Sequence, residues 1–158
     1  KKLKKENPRP TIDVFFFGKS LIPKFYVFSE VNRLFFYTKI NKAEKKEHIK
    51  NVEEELFDRF GKTPVETKNF LNLAKVKLLY SKTEVTKILI KEKTLVFELG
   101  EKKINQKTIQ AVLKYKNIVV LNKKFKEGPS CLSVVFDVPV GFDWYRLILK
   151  CYNLFYIQ

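Results

Sequence analysis

Residues Glu54 to Glu66 read E-E-L-F-D-R-F-G-K-T-P-V-E, which contains both a helix end and a helix start. Phe60 is the last apolar position of a helical pattern, and Gly61 follows it directly. A left-handed backbone often closes a helix at that point, and glycine adopts it without strain. The pattern therefore predicts a helix that ends at Gly61 and carries Asp58 and Arg59 in its last turn.

The residues after this glycine predict the start of a second helix. Thr63 can accept a backbone N–H as the N-cap, and Pro64 fits the first helical position because its fixed φ suits a helix. Glu66 would then occupy the third helical position and complete a capping box with Thr63. We therefore expect a rigid turn that fixes the angle between two helices.

The composition predicts a folded, cytoplasmic protein. Of the 158 residues, 45% are apolar and 15 are phenylalanine, so the chain can bury a sizeable core and is not a disordered tail. No apolar run approaches the roughly 18 residues that a membrane helix needs, and no cleavable signal pattern opens the chain. Cys131 and Cys151 lack the spacing of metal ligands and are expected to be reduced thiols of the core.

The net charge of +15 leaves two interpretations open. One is a nucleic-acid-binding module, in which basic side chains neutralise phosphates. Only four of the 32 basic residues are arginine, however, and the lysines are spread along the whole chain. Because phosphate and base recognition favours arginine, solvated lysines are the favoured interpretation. Residues 1–10 are basic and contain two prolines, which predicts a linker or a domain edge.

The spacing of apolar residues changes along the chain. Spacings of three and four residues predict helices, and short β-prone runs predict strands. Their order indicates an α+β fold in which N-terminal helices are followed by β-hairpins and further helices, packed on one mainly antiparallel sheet in a single domain of residues 11–158. The predicted elements are a strand at 11–17, helices from Ser29 to about Ile40, at 43–60 and at 64–82, strands at 86–90 and 94–99, a helix from Asn105 to Tyr115, strands at 118–125 and 131–138, and a helix from about Asp143.

The search for catalytic motifs predicts a domain that is not an enzyme. The chain contains no glycine-rich phosphate loop or dinucleotide turn, no Gly-x-Ser-x-Gly elbow and no metal-ligand spacing of His and Cys. Glu53, Glu54 and Glu55 are consecutive, so they fan around a helix instead of converging. His48 lies in a charged stretch typical of a solvated helix face. We expect no catalytic residue, no metal and no cofactor.

Several stretches resemble one known family. Residues 54–64, E-E-L-F-D-R-F-G-K-T-P, are similar to the E-L-x-D-R-F-G-x-x-P signature of the C-terminal domain of the bacterial transcription-repair coupling factor. Residues 70–77 match that family's L-L-x-x-A-x-L-R helix without a gap. Upstream, residues 21–23 resemble its L-L-P stretch, and residues 31–40 resemble its V-x-x-R-L-x-F-Y-x-x-I stretch.

The resemblance implies that the chain is the last domain of an ATP-dependent DNA translocase that couples transcription to nucleotide excision repair. Such a parent removes stalled RNA polymerase from damaged DNA and recruits the repair protein UvrA. Its C-terminal domain carries no motor motif, packs on the parent's N-terminal UvrB-like module and covers the UvrA-binding surface. The direct partner would be that module, with UvrA and RNA polymerase as indirect partners and DNA reached only through the motor.

The resemblance also selects candidate functional residues. For Asp58 and Arg59, a local ion pair or cap at the helix end is favoured over a contact with a partner. Arg33 is a candidate to reach Asp58 or the carbonyls at that helix end. The residues of the family motif, structural or interdomain, are Asp58, Arg59, Phe60, Gly61 and Pro64, and the candidates for interdomain contact are Arg33, Lys75 and Lys77, the two lysines replacing family arginines.

Overall fold

Three helices follow the first strand, and the remaining strands alternate with two further helices. The computed structural model describes residues 12–100, 105–128 and 131–156. The elements are β1 (Asp13–Phe16), α1 (Glu30–Asn41), α2 (Lys46–Phe60), α3 (Val65–Tyr80), β2 (Val85–Ile90), β3 (Thr94–Leu99), α4 (Gln106–Lys114), β4 (Asn122–Glu127), β5 (Leu132–Asp137) and α5 (Trp144–Phe155).

The five strands form one sheet in the order β1-β2-β3-β5-β4. Only β1 and β2 run parallel, and the other three neighbouring pairs are antiparallel. In the register, Phe97 lies opposite Ile88 on one side and Val134 on the other, and all three side chains are fully buried. The predicted α+β fold with a mainly antiparallel sheet is confirmed.

Polar side chains begin three of the helices as the sequence predicts. Ser29 accepts a hydrogen bond from the backbone of Asn32 at the start of α1. Asn105 and Asp143 cap α4 and α5 by accepting backbone N–H groups two and three residues ahead. Each cap satisfies an amide that has no partner within its own helix.

Two predicted boundaries are wrong because turns occupy the expected starts. The helix predicted from residue 43 begins at Lys46, since Ala43 donates its N–H back to Ile40 and belongs to the turn after α1. The strand predicted from residue 118 begins at Asn122. There the side chain of Asn117 accepts the N–H of Val119 at 2.9 Å, and this Asx turn delays the strand.

The buried side chains form two clusters that share α3. The larger cluster lies between the sheet and helices α3, α4 and α5, and the smaller one lies between α1, α2 and α3. Leu71 of α3 belongs to the smaller cluster, whereas Val76 and Tyr80 belong to the larger one. The Tyr80 hydroxyl donates to the carbonyl of Ile148 in α5 at 2.6 Å. Helix α3 therefore joins the helical layer to the sheet layer.

Some sequence predictions concern single residues or segments. Both cysteines are free thiols, and Cys151 is a core residue as expected, whereas Cys131 is only half-buried. The predicted linker at residues 1–10, the start of the first strand at Thr11 and residues 129–130 between the last two predicted strands lie outside the described residues. Among the helices that the structure describes, none has the length and apolar content needed to cross a bilayer.

Candidate functional site

Helix α2 ends at a glycine with a backbone that other residues avoid. Gly61 has φ 80° and ψ −155°, and its N–H donates to the carbonyl of Phe57 at 2.8 Å. The predicted positive φ is confirmed, but the ψ value places the residue in the extended mirror region and not in the left-handed helical region. That region is almost exclusive to glycine. Gly61 therefore sets the direction in which the chain leaves α2.

The predicted capping box at the start of α3 is wrong. Pro64, with φ −64° and ψ 158°, is itself the N-cap, and α3 begins one residue later at Val65 without a side-chain cap. The Pro64 carbonyl accepts the first helical hydrogen bond from Lys68 at 3.0 Å. Thr63 is unavailable as a cap because it is buried, with its hydroxyl 3.5 Å from that of Tyr26.

Tyr26 closes the turn between the two helices, and the sequence gives no signal of this role. Its hydroxyl lies 3.1 Å from the carbonyl of Leu56 and 2.9 Å from that of Gly61. A phenol has one proton to donate, so these two carbonyls share it. The Tyr26 ring also packs edge-on against Phe60, with centroids 5.9 Å apart. One side chain thus contacts the end of α2 and both sides of the turn.

The segment before Tyr26 is attached to the first turn of α3. Leu21 donates its N–H to the carbonyl of Glu66 at 3.2 Å and accepts a hydrogen bond from the Thr67 hydroxyl at 3.1 Å. Its neighbour Ile22 donates to the Tyr37 hydroxyl of α1 at 2.7 Å. These contacts fix α1 and α3 to the same extended segment, and they connect residues too distant in sequence for a local pattern to show them.

Arg59 makes a local ion pair, but its partner differs from the expected one. Its guanidinium lies 3.3 Å from Glu55, one turn earlier on α2, and stacks 5.4 Å from the ring centroid of Phe36 and 5.0 Å from that of Phe60. Residues four apart share a helix face, whereas consecutive residues do not. In the part of the chain that the structure describes, Asp58 makes no ion pair and is exposed.

Glu55 is the electrostatic centre of the α1–α2 contact. The hydrogen bond from Lys39 Nζ, 2.9 Å from its Oε2 atom, lowers the pKa of Glu55, and the nearby Arg59 guanidinium lowers it further. Its carboxylate therefore stays ionised at neutral pH and joins two helices. The prediction that the three consecutive glutamates diverge is confirmed, because Glu53 instead faces α3.

Arg33 does not reach Asp58 or the carbonyls at the end of α2. Its Nη1 atom donates to the carbonyls of Val27 and Phe28, each at 2.8 Å. These carbonyls belong to the loop that enters α1, so the guanidinium fixes that loop against the first turn of its own helix. The predicted contact of Arg33 with carbonyls at the end of α2 is wrong, because the carbonyls that it binds precede α1. Its role in an interdomain contact stays a prediction.

Lys75 and Lys77 have different surroundings. The ammonium of Lys75 lies 3.0 Å from Glu53 and is largely buried, so it joins α3 to α2 within the domain. Both lysines line a groove of about 990 Å³ next to β1, together with apolar residues that include Phe16 and Phe70, but only Lys77 of the two is exposed. Lys77 is therefore the more accessible of the two for a contact with another domain, a role that stays a prediction for both.

The Lys75–Glu53 pair allows a stability test. Lys75→Met should lower the free energy of unfolding by about 0.5–1 kcal/mol, because it removes the lysine that pairs with the partly exposed Glu53. Urea denaturation followed by circular dichroism measures this change. Lys77→Met on the same helix is the matched control and should have an effect within about 0.5 kcal/mol of zero. Equal effects of the two substitutions would contradict the assignment.

The described residues do not bring metal ligands together. No group of three or more His, Cys, Asp or Glu side chains in residues 12–100, 105–128 and 131–156 is placed to hold a metal ion.

Burial raises the pKa of the Cys151 thiol to about 12 and also raises the pKa of the Tyr80 phenol. Both groups are therefore neutral at pH 7. The candidate site therefore consists of the turn at Gly61, whose geometry is fixed, and the exposed Asp58 in the last turn of α2.

Comparisons with known proteins agree on one family. Residues 18–110 match the TRCF domain family, a range that includes α1, α2, α3 and the turn at Gly61. A transcription-repair-coupling factor of Borreliella burgdorferi is 30% identical over 121 residues, or 74% of this chain. That of Buchnera aphidicola is 40% identical over 63 residues, or 40% of this chain. The chain spans 11% and 8% of these two relatives, or about a tenth of their length.

One solved structure, described as the C-terminal domain of transcription-repair coupling factor, has the same fold. It matches with a TM-score of 0.75 over 94% of this chain and 93% of that one, at 19% identity. The match extends beyond residue 110 and so includes the second strand pair and α5. Taken together with the family match and the sequence relatives, the fold leads to one conclusion: this chain belongs to the transcription-repair-coupling factor family.

Proposed function

We propose that this chain is a non-catalytic regulatory domain that docks on the N-terminal UvrB-like module of its parent protein and masks the surface that binds UvrA. The observation that carries the proposal is the family match over residues 18–110, which includes the turn at Gly61. The chain accounts for about a tenth of the length of its relatives, which leaves room in a parent for a motor and an N-terminal module. The setting would be a bacterial cytoplasm and nucleotide excision repair.

Masking of this kind is a competition between two contacts. The docked domain and UvrA would occupy the same surface, so docking lowers the affinity for UvrA by the free energy of the domain contact. Couplings between sites are typically about 1–3 kcal/mol, which changes affinity by about 5- to 150-fold. The Gly61 turn supports this role because it holds α2 and α3 in one arrangement, and a surface that is already ordered binds at a smaller entropic cost.

The test is a mixing experiment. The isolated N-terminal module is titrated with UvrA in the absence and in the presence of a saturating amount of this domain, and binding is followed by fluorescence anisotropy. We expect the affinity for UvrA to fall by about 5- to 150-fold when the domain is present. A titration of UvrA with the domain alone controls for direct binding between those two. An unchanged affinity of the module for UvrA would rule out masking.

The basic charge supports nucleic-acid binding as a second candidate function. The structure makes this candidate weaker, because several lysines are engaged within the domain. Lys39, Lys87 and Lys124 lie within 4 Å of Glu55, Glu98 and Asp137 respectively. Partly neutralised lysines on separate elements attract phosphate groups less strongly than a continuous basic stripe does.

A further inference from the structure

The two outer strands of the sheet differ in charge. The sheet ends at β1 on one side and at β4 on the other, and among the described residues no further strand pairs with either. Strand β4, N-K-K-F-K-E, has four charged residues out of six, and charged side chains commonly protect a free edge from other strands. Strand β1, D-V-F-F, has only Asp13. The free edge of β1 therefore lacks the protection that β4 has.

The backbone of β1 has hydrogen-bonding groups that point away from the sheet. Phe17, directly after β1, donates its N–H to the carbonyl of Ile90 in β2 at 3.0 Å. Backbone groups alternate in direction along a strand, so those of Phe15 also face β2, whereas the N–H and C=O groups of Val14 and Phe16 face the opposite side. An extended chain beside β1 can bond to these groups and continue the sheet.

An added strand would also lie along the groove of about 990 Å³ that β1 borders. The side chains of Val14 and Phe16 line this groove, so the side chains on the same face of the added strand would be placed beside them. Helix α3 contributes further apolar residues to the lining, among them Phe70, Leu73 and Leu78. The groove therefore offers apolar contacts to every second side chain of the added strand.

The other face of β1 is apolar as well. Phe15 and Phe17 are 56% and 59% exposed. The Lys87 ammonium lies 5.7 Å from the ring centroid of Phe15, but it is also paired with Glu98 at 3.7 Å and so adds no unbalanced charge here. The remaining side chains of an added strand would therefore cover exposed aromatic rings, and burial of such rings stabilises an interface.

The charged residues that line the groove are mostly lysines. Among the described residues of the lining, Glu44 is acidic and five residues are lysines. The ammonium of Lys75 is neutralised by Glu53. The other four lysines are exposed and form no ion pair with any described residue: Lys45, Lys46, Lys77 and Lys82. These four ammonium groups favour a ligand that carries carboxylates.

The edge and the charges together restrict the kind of partner. Nucleic acids lack the alternating N–H and C=O groups that pair with a strand edge, whereas every extended peptide has them. A second copy of this chain would bring another net charge of +15 to a groove that is already basic, so a homodimer is disfavoured. An acidic peptide segment of another protein suits both the strand edge and the lysines.

We propose that the outer edge of β1 binds an extended segment of a partner protein, which joins the sheet as a sixth strand. The segment has an apolar centre that covers the groove and the exposed rings of Phe15 and Phe17. It carries Asp or Glu at its ends, beside the lysines of the groove. This inference concerns a second contact surface and does not depend on the proposed masking of the UvrA-binding surface.

A synthetic peptide tests the addition of a strand. The blocked peptide E-E-V-T-V-T-V-E-E is titrated into the domain by isothermal titration calorimetry and compared with two N-methylated forms. One form is methylated on the valine amides and the other on the threonine amides, which point in opposite directions in a strand. We expect one form to bind at least about tenfold more weakly and the other to bind like the unmodified peptide. Equal affinities of the two forms, or no binding of the unmodified peptide, would overturn the inference.

Substitutions of Val14 test the same edge from the side of the domain. Val14→Pro removes an outward N–H without removing a bond to β2, and proline is tolerated on edge strands for this reason. It should weaken binding of the peptide at least about tenfold. The matched control Val14→Ala keeps the N–H and should bind more tightly than the proline variant, with circular dichroism showing that both are folded. Equal binding by the two variants would contradict the proposed pairing.

Amide hydrogen exchange followed by nuclear magnetic resonance gives an independent measurement. The amides of Val14 and Phe16 should exchange rapidly in the free domain and become protected when the peptide binds. Protection of both amides in the free domain would show that the edge is already occupied, which would overturn the inference.

The lysines of the groove allow a test of the acidic ends. Lys77→Glu should weaken binding of the peptide at low salt, and the difference from the wild type should shrink as salt is added. Lys107→Glu on α4 is the matched control, since it changes the net charge equally at an exposed position outside the groove. An equal effect of the two substitutions would overturn the placement of the acidic ends beside the groove.

Discussion

Replacing Phe36 by alanine should lower the free energy of unfolding by about 3–5 kcal/mol, the largest effect that we expect from any single substitution in the helical layer. Phe36 is fully buried between α1 and α2, and its ring lies edge-on to Phe60 with centroids 6.0 Å apart. Arg59 covers the ring from the solvent side. Alanine would leave a cavity that these fixed neighbours cannot fill, so the lost contacts add to the lost burial.

Urea denaturation followed by circular dichroism measures this effect. Phe57→Ala is the matched control, because Phe57 is on the adjacent helix and is 58% exposed. Its removal should change the free energy of unfolding by no more than about 0.5 kcal/mol. Domains of this size have about 5–15 kcal/mol in total, so the Phe36 variant should unfold at a much lower urea concentration. Similar losses for both variants would show that the α1–α2 packing has been misassigned.

Replacing Gly61 by alanine should lower the free energy of unfolding by about 1–3 kcal/mol. The cost comes from the backbone alone, since a Cβ atom built at this position meets no other atom within 4 Å. An L-residue can relieve the strain only by changing φ, and that would move the Gly61 carbonyl away from the Tyr26 hydroxyl. In the Gly61→Ala variant, the turn therefore either keeps a strained backbone or loses the hydrogen bond from Tyr26 to the carbonyl of residue 61.

The same denaturation measurement applies, with Lys62→Ala as a control at the next, exposed position. That substitution should have an effect within about 0.5 kcal/mol of zero. A chemically ligated chain with D-alanine at position 61 is a stricter control. For a D-residue the observed φ and ψ mirror an ordinary extended conformation, so stability should be retained. If L-alanine and D-alanine have equal effects, backbone strain is not the cause.

The features that the sequence predicted well are those with local causes. Positive φ at Gly61 follows from its position after the last apolar residue of a helix. The helix starts at Ser29, Asn105 and Asp143 follow from polar side chains placed directly before periodic apolar stretches. Because these signals involve neighbours within four residues, the sequence contains everything needed to interpret them.

The features that were missed depend on contacts between distant residues. Tyr26 reaches across 30 and 35 residues to bind the end of α2 and the Gly61 carbonyl, and nothing near it in the sequence indicates that role. Its hydroxyl also lies 3.5 Å from that of Thr63, which is buried, and the cap of α3 is Pro64. Local chemistry favours Thr63 as the cap, so the observed start of α3 departs from the local signal.

Because α3 contacts both layers, destabilising substitutions and partner binding in one layer affect the stability of the other. Leu71 on one side of α3 and Tyr80 on the other are both fully buried. Unfolding of either the helical layer or the sheet layer would therefore expose one side of α3. A defect far out in the sheet therefore weakens the end of the domain that carries α1. By the same linkage, a protein that binds α1 in the folded domain also stabilises the distant strands against unfolding.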